Sequence, residues 1–127
     1  MAYTDSSRSE IETVETDRLI ASNRVEGTAV YNRQGEHLGE VYNFMVDKYS
    51  GQVAYAVMGF GGFLGIGERY HPLPWKSLDY SPDAGGFVVD VTREQLEGAP
   101  HYGRDEDPWR DPSYGRAVND HYGVPYV

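Results

Sequence analysis

The chain has 127 residues, which suits one domain with tails, and its formal net charge is −9. Lysine and arginine supply most of the affinity of proteins for nucleic acids. The excess of acidic over basic residues therefore argues against binding to nucleic acids and to anionic membrane surfaces. The absence of cysteine excludes disulfides and thiolate metal sites. No apolar run approaches the ~20 residues of a membrane helix, and the N-terminus lacks a secretory pattern, so we expect a cytoplasmic protein without membrane insertion.

Composition divides the chain into three regions. Residues 1–18 are polar and rich in serine, threonine and glutamate, which predicts a flexible N-terminal tail. Residues 19–100 contain the alternating apolar segments and turn residues of a folded domain. Residues 101–127, called the C-terminal extension below, are charged yet rich in tyrosine and tryptophan. Because disordered segments rarely carry so many aromatic side chains, we expect this extension to dock.

The most apolar stretch predicts a strand that is buried on both faces. Residues 53–58, VAYAVM, place apolar side chains on both sides because neighbours in a strand alternate. Such a strand is typical of the centre of a sheet or of a small closed barrel. A glycine-rich apolar loop follows at residues 61–67. Pro72 and Pro74 then indicate an edge strand or a strand end, since proline cannot donate a ladder hydrogen bond.

The phase of the preceding strand predicts a β-bulge. Gly39 and Val41 share one face of that strand, whereas Phe44 and Val46 fall on the opposite face. One extra residue near positions 42–43 would turn all four positions to the interior. A bulge of this kind bends a strand, as a small barrel requires.

The C-terminal extension contains the signals of a short helix. The Asp-Pro pair at residues 111–112 is a good N-cap followed by a good first helical residue, and Gly123 can end the helix. Tyr114, Val118 and Tyr122 fall on one face at a spacing of four residues. This face predicts a docking helix, and the pattern leaves open whether it docks on its own chain or on a second subunit.

Two apolar surfaces are candidates for partner binding. The glycine-rich loop would expose apolar side chains as a contact surface, unless these side chains plug the end of a barrel. The aromatic helix face supplies the second surface. The candidate partner-binding residues are Phe63, Leu64, Ile66, Tyr114, Val118 and Tyr122.

The sequence indicates no catalytic, cofactor or metal site. The glycine-rich loop does not match G-x-G-x-x-G and lacks the lysine of a P-loop. No histidine has the spacing of a recognised metal site, and no serine lies in a nucleophile elbow. We therefore expect no cofactor, no metal and no enzymatic activity.

An ordered set of positions runs through the folded domain: Gly27, Val30, Gly35, Leu38, Gly39, Asp47, Gly51, the GGFLGIG loop, Pro74 and Trp75. This set resembles the PRC-barrel family, the small β-barrel first noted in the cytoplasmic part of the photosynthetic reaction centre H subunit. The likeness covers residues 19–100, and the C-terminal run of residues 122–126 resembles the tails of stand-alone bacterial members. From the sequence we expect neither that subunit's transmembrane helix nor the domain that precedes the barrel in a bacterial ribosome maturation factor.

The resemblance implies an all-β fold, a small closed antiparallel barrel of about six strands, here followed by short C-terminal helices. It implies a non-catalytic adaptor that docks other proteins. We also expect the protein to form a homodimer, and peripheral association with a membrane complex is a further possibility that the resemblance implies. A small-molecule-binding or enzymatic barrel is the alternative. An accessory role in RNA processing or ribosome maturation is a third, and the charge of −9 argues against it.

Overall fold

The computed structural model describes residues 15–16, 18–60 and 68–126. Most of the predicted N-terminal tail, residues 1–18, and the glycine-rich loop at 61–67 lie outside these ranges. The strands are β1 (Ala29–Asn32), β2 (His37–Val46), β3 (Val53–Phe60), β4 (Arg69–Pro74), β5 (Leu78–Ser81) and β6 (Gly86–Val89). The helices are α1 (Ser22–Val25), α2 (Arg93–Glu97) and α3 (Pro112–Tyr122), with 3₁₀ turns at Trp75–Ser77 and Pro108–Arg110.

The strands form one curled, mixed sheet rather than a closed antiparallel barrel. Its order is β4-β3-β2-β1-β6-β5. Neighbouring strands are antiparallel except β1 and β6, which are parallel. The predicted all-antiparallel closure is therefore wrong, because the sheet contains a parallel pair and ends at β4 and β5 instead of joining them. Six strands and short C-terminal helices are present as expected.

The connection between β4 and β5 explains this topology. A purely antiparallel meander requires a chain reversal at every connection. The 3₁₀ turn Trp75–Ser77 joins β4 to β5 without a hairpin and leads from one end of the sheet to the other. As a result β6 runs in the same direction as β1. The sheet must also curl strongly, because so short a turn links its two outermost strands, and the result is a half-barrel.

The predicted bulge in β2 is confirmed. The pairing with β3 shifts register between Val41 and Asn43, so Tyr42 is the extra residue. Val41 is buried and Phe44 packs against the core, as the prediction requires. A second register shift adjoins Val46 and leaves that side chain 51% exposed, so the prediction that it lies inside is wrong.

The prediction that residues 53–58 are buried on both faces is confirmed for the second half of this stretch, whereas Ala54 is exposed. Val57 and Met58 are consecutive and therefore point to opposite faces, yet both are 0% exposed. The face that carries Met58 lies within the curl of the sheet and packs on the main core. The buried core cluster comprises Val25, Val30, Leu38, Val41, Met58, Leu73, Phe87, Val89 and Leu96.

The outer edge of β4 is protected, although the sheet does not close. Pro72 and Pro74 have no N–H to offer to another strand. Tyr70 N donates to Tyr102 O at 2.8 Å, and Tyr102 N donates back to Tyr70 O at 3.1 Å. A single residue of the C-terminal extension thus occupies this edge, which limits its pairing with other chains.

Helix α3 begins and ends where the sequence predicts. The Asp111 side chain accepts a hydrogen bond from Ser113 N at 2.9 Å, and Pro112 is the first helical residue. Gly123 follows the helix with a φ of 68°, a left-handed conformation that glycine adopts without a steric penalty. These caps fix the position of the helix in the C-terminal extension.

We predict that Gly39→Ala destabilises the fold by about 1–3 kcal/mol, the usual cost of overpacking a well-packed site. A Cβ at Gly39 would collide with the backbone carbonyl oxygen of Gly59 on β3, and backbone cannot move aside as a side chain can. Urea unfolding monitored by circular dichroism measures the difference.

Gly98→Ala is the matched control, because a Cβ there would meet Glu94 O at an ordinary 3.7 Å. We expect a change within about 0.5 kcal/mol for this variant. Equal free energies of unfolding for the two variants would contradict the tight approach of β2 to β3.

Candidate functional site

The C-terminal extension covers the outer face of β3 and β4. The Tyr55 hydroxyl donates to Asn119 Oδ1 at 2.6 Å and lies 3.2 Å from the carbonyl oxygen of Gly115. The Tyr55 ring also contacts Trp109, with 5.1 Å between ring centroids. Burial, and secondly the nearby Tyr126, raise the pKa of the Tyr55 hydroxyl, so it keeps its proton and remains a donor. The extension is therefore anchored to β3 by a buried polar contact as well as by ring packing.

The predicted helix face is used within the chain. Val118 is 0% exposed, and Tyr122 packs against the core cluster. Tyr114 lies edge-to-face with Trp109 at 5.2 Å between ring centroids. Burial raises the pKa of the Tyr114 and Tyr122 hydroxyls. Helix α3 thus docks on its own chain, and a role of these residues in binding a partner stays a prediction.

The other predicted surface lies in the glycine-rich loop. Phe63, Leu64 and Ile66 fall outside the described residues, so their role in partner binding also stays a prediction. The loop follows the end of β3, whereas Tyr55 and the start of α3 lie towards the opposite end of that strand. Strand β3 spans eight residues. At about 3.3 Å per residue, its two ends are separated by about 25 Å. Phe60, from which the loop continues in the sequence, therefore lies well away from the start of α3.

A groove opens where the C-terminal extension meets the β2–β3 hairpin. It encloses a cavity of about 360 Å³. Its floor is the 3₁₀ turn after β4, one wall is the hairpin, and the other wall is the C-terminal extension. We define the groove by Val46, Asp47, Ala54, Trp75, Trp109 and Pro125.

The groove combines apolar walls with a balanced polar rim. Asp47 accepts hydrogen bonds from Tyr49 N at 2.8 Å and Ser50 N at 2.9 Å, and these bonds lower the pKa of its carboxyl group. This carboxylate therefore stabilises the hairpin turn. Lys76 lies on the rim and carries the opposite charge. In the described part of the chain, no group of three or more His, Cys, Asp and Glu residues could hold a metal ion.

One glycine in the sequence marks this arrangement. Gly115 interrupts the predicted helix, although glycine in a helix interior costs roughly 0.5–1 kcal/mol relative to alanine. A Cβ at Gly115 would lie 3.0 Å from the Tyr55 hydroxyl oxygen and 3.3 Å from Tyr126. The glycine therefore marks a close approach of α3 to its neighbours. The hydrogen bond between Tyr55 and Asn119 joins residues 64 positions apart, and no local pattern indicates it.

His71 on β4 is a buried titratable group beside the C-terminal extension. Its side chain is 2% exposed, and its Nδ1 has no hydrogen-bond partner within the described residues. The ring stacks on His101 at 5.1 Å and meets Phe60 edge-to-face at 5.2 Å. Burial, and secondly the charge of His101, lower the pKa of His71 from 6.5 to about 4. The neutral ring therefore acts as a packing element at neutral pH.

The sequence matches the family model of the PRC-barrel domain over residues 17–96. The match spans more than half of the chain, and the protein belongs to the PRC-barrel family, which confirms the resemblance. No curated protein matches the chain significantly. Within residues 18–60 and 68–126, no helix is long and apolar enough to cross a membrane.

We predict that the protein loses stability as the pH falls from 6.5 towards 4, partly through His71. In this range the unfolded state binds a proton that the native state does not, so acid favours unfolding. The lowered pKa of His71 corresponds to a loss of up to about 3 kcal/mol. Free energies of unfolding measured between pH 7 and pH 4 test this effect.

The variant His71→Leu should lose this part of the pH dependence, because leucine does not titrate. Identical slopes for His71→Leu and the wild type would contradict the buried, neutral state of His71.

Proposed function

We propose that this PRC-barrel protein is a non-catalytic adaptor whose groove docks a protein partner. The supporting observation is that apolar side chains stay exposed around a groove walled by two tryptophans. Val46 on its rim is 51% exposed, and Tyr126 beside it is 46% exposed. Contiguous apolar surface with a polar rim is typical of interaction sites, and aromatic anchors are enriched there.

We propose the loop with Phe63, Leu64 and Ile66 as a second docking surface. In the sequence the loop follows Phe60, the last residue of β3, whereas Ala54 in the groove is near the start of that strand, so we propose that one module offers two separate contacts. Two separate contacts suit an adaptor, because one partner can bind without blocking the other.

We further propose a cytoplasmic protein that forms a homodimer and can associate peripherally with a membrane complex. The net charge of −9 supports protein partners over nucleic acid. It also favours partners with basic surfaces near the docking site, because complementary charge speeds association.

A small-molecule-binding role is the second candidate function. The groove volume of about 360 Å³ falls at the lower end of the range for ligand pockets, about 300–1,000 Å³. Apolar and aromatic walls with a few polar groups suit such a ligand. The Asp47 carboxylate on the rim is already engaged by the N–H groups of Tyr49 and Ser50 in the hairpin turn, which supports binding over catalysis.

We predict that a tagged wild-type bait retains a specific partner and that Val46→Glu with Ala54→Glu loses most of it. Both positions lie in the groove and are exposed, so the substitutions block the groove with charge without disturbing the core. Affinity capture from native cells followed by mass spectrometry gives the readout. Tyr80→Glu is the matched control, because Tyr80 is 55% exposed and is not among the groove residues.

A bait with Phe63→Ser and Leu64→Ser tests the loop in the same experiment. Loss of the partner only from this bait would move the docking surface from the groove to the loop. Capture of the bait protein alone by all four baits would contradict the adaptor role and favour the small-molecule alternative.

We predict that multi-angle light scattering gives the mass of a dimer, about twice the 14.3 kDa of one chain. A mass of one chain at all concentrations would contradict self-association. This outcome would leave the adaptor role in place, because a monomer can also dock a partner.

A further inference from the structure

We propose that the groove recognises an uncharged proline–aromatic peptide segment of a partner protein, a proposal that rests on the adaptor role above. The chain's own Val-Pro-Tyr segment, residues 124–126, fills part of this site in the structure and acts as an internal competitor. The site is thus partly closed until a partner segment displaces the chain's own segment.

A buried side-chain donor beside the groove binds a backbone carbonyl oxygen, here that of Pro125. Asn119 is 7% exposed, and its Nδ2 donates to Pro125 O at 3.1 Å. The Tyr55 hydroxyl donates to Asn119 Oδ1 at 2.6 Å, which orients the amide so that its NH₂ group faces Pro125. Aromatic-lined grooves bind proline-rich segments, whose backbone is extended and free of internal hydrogen bonds. Here Tyr55 and Trp109 provide such an aromatic wall beside the donor.

The internal segment is held by few contacts. Beyond the bond from Asn119 Nδ2, the Val124 N–H donates to Asn119 O at 3.0 Å. The Tyr126 ring lies under the Arg116 guanidinium, with Arg116 Cζ 5.1 Å from the ring centroid. Pro125 and Tyr126 both remain exposed on one side. A partner segment with more contacts can therefore displace residues 124–126 while α3 stays docked through Val118.

The cavity next to the internal segment accommodates a longer ligand. About 360 Å³ stays unfilled between residues 124–126 and the β2–β3 hairpin. Asp47 and Lys76 on the rim carry opposite charges, so the groove offers no net charge to select a strongly basic or acidic peptide. These features favour a neutral segment that covers the position of Pro125 and continues into the cavity.

A partner protein fits these observations better than a second copy of this chain. An identical Val-Pro-Tyr segment from a second copy would replace the internal one and leave the same cavity unfilled. It would add no contact that the internal segment does not already make. A longer segment from a partner would gain the contacts of the cavity walls.

Fluorescence polarisation with full-length protein tests the proposal. The probe is fluorescein-labelled Gly-Val-Pro-Tyr-Val, and the control probe is Gly-Val-Ala-Tyr-Val. We expect full-length Pro125→Ala with Tyr126→Ser to bind the proline probe roughly tenfold more tightly than the wild type, because loosening the internal competitor raises the open fraction. Asn119→Leu introduced into that variant should weaken the binding of both probes roughly tenfold, because each probe offers the same backbone carbonyl oxygen to Asn119 Nδ2. Near-ultraviolet circular dichroism shows whether each variant is folded. If Asn119→Leu fails to fold, Tyr55→Phe replaces it, because this change removes the hydroxyl that orients the amide.

Three outcomes would overturn the proposal. The first is that neither probe binds, and the second is that the loosened variant binds both probes equally. The third is that the proline probe dissociates a wild-type dimer, which would assign the site to a second copy. If the groove-blocked bait still loses its partner while neither probe binds, the adaptor role stands and only the peptide assignment fails. If no bait captures a partner, the adaptor role fails whatever the probes do.

Discussion

The fold depends on one constraint, the burial of β3 on both faces. Val57 and Met58 are neighbours on opposite faces, and each is 0% exposed. The curl of the sheet buries only the side that carries Met58. Because exposed apolar surface is costly in water, the opposite side of β3 and β4 needs a second layer. The C-terminal extension supplies this layer, so it is an integral part of the structure.

This second layer also creates the groove. Trp109 and Pro125 come from the extension, whereas Val46 and Ala54 come from the β2–β3 hairpin. The two sides are held in register by the contact of Tyr55 with Asn119 and by the packing of Val118. A change in the docking of α3 would therefore alter the groove, even though α3 contributes few of its walls. Stability and recognition are coupled through the same helix.

Local patterns in the sequence predict much of this architecture. The two-sided apolar run of residues 53–58, the bulge at Tyr42 and the caps of α3 depend on periodicity and on single-residue preferences, and the structure has all three, the first of them over residues 56–58. The closure of the sheet is different. Whether Trp75–Ser77 reverses the chain or leads it onward depends on how distant strands pair, and no local pattern records this.

The candidate site was harder to predict for the same reason. Aromatic content shows that the C-terminal extension docks, but Tyr114, Val118 and Tyr122 look equally suited to a partner or to their own chain. The partner of Asn119 is Tyr55, far away in sequence. Val46 is exposed on the rim of the groove because of a second register shift in the pairing of β2 with β3, and the neighbouring residues in the sequence do not predict this shift. Groove positions therefore follow from tertiary pairing.

The most direct test of cis docking is an isotope-filtered NOE experiment on a mixture of labelled and unlabelled full-length protein. If α3 docks on its own chain, a uniformly labelled sample should show NOEs between the Val118 methyl groups and β4. The filtered experiment on the mixed sample, which detects only contacts between molecules, should then show no such NOEs. NOEs between Val118 and β4 that appear in the intermolecular filter would contradict it. They would place α3 on a second subunit, and the groove would then be built from two chains.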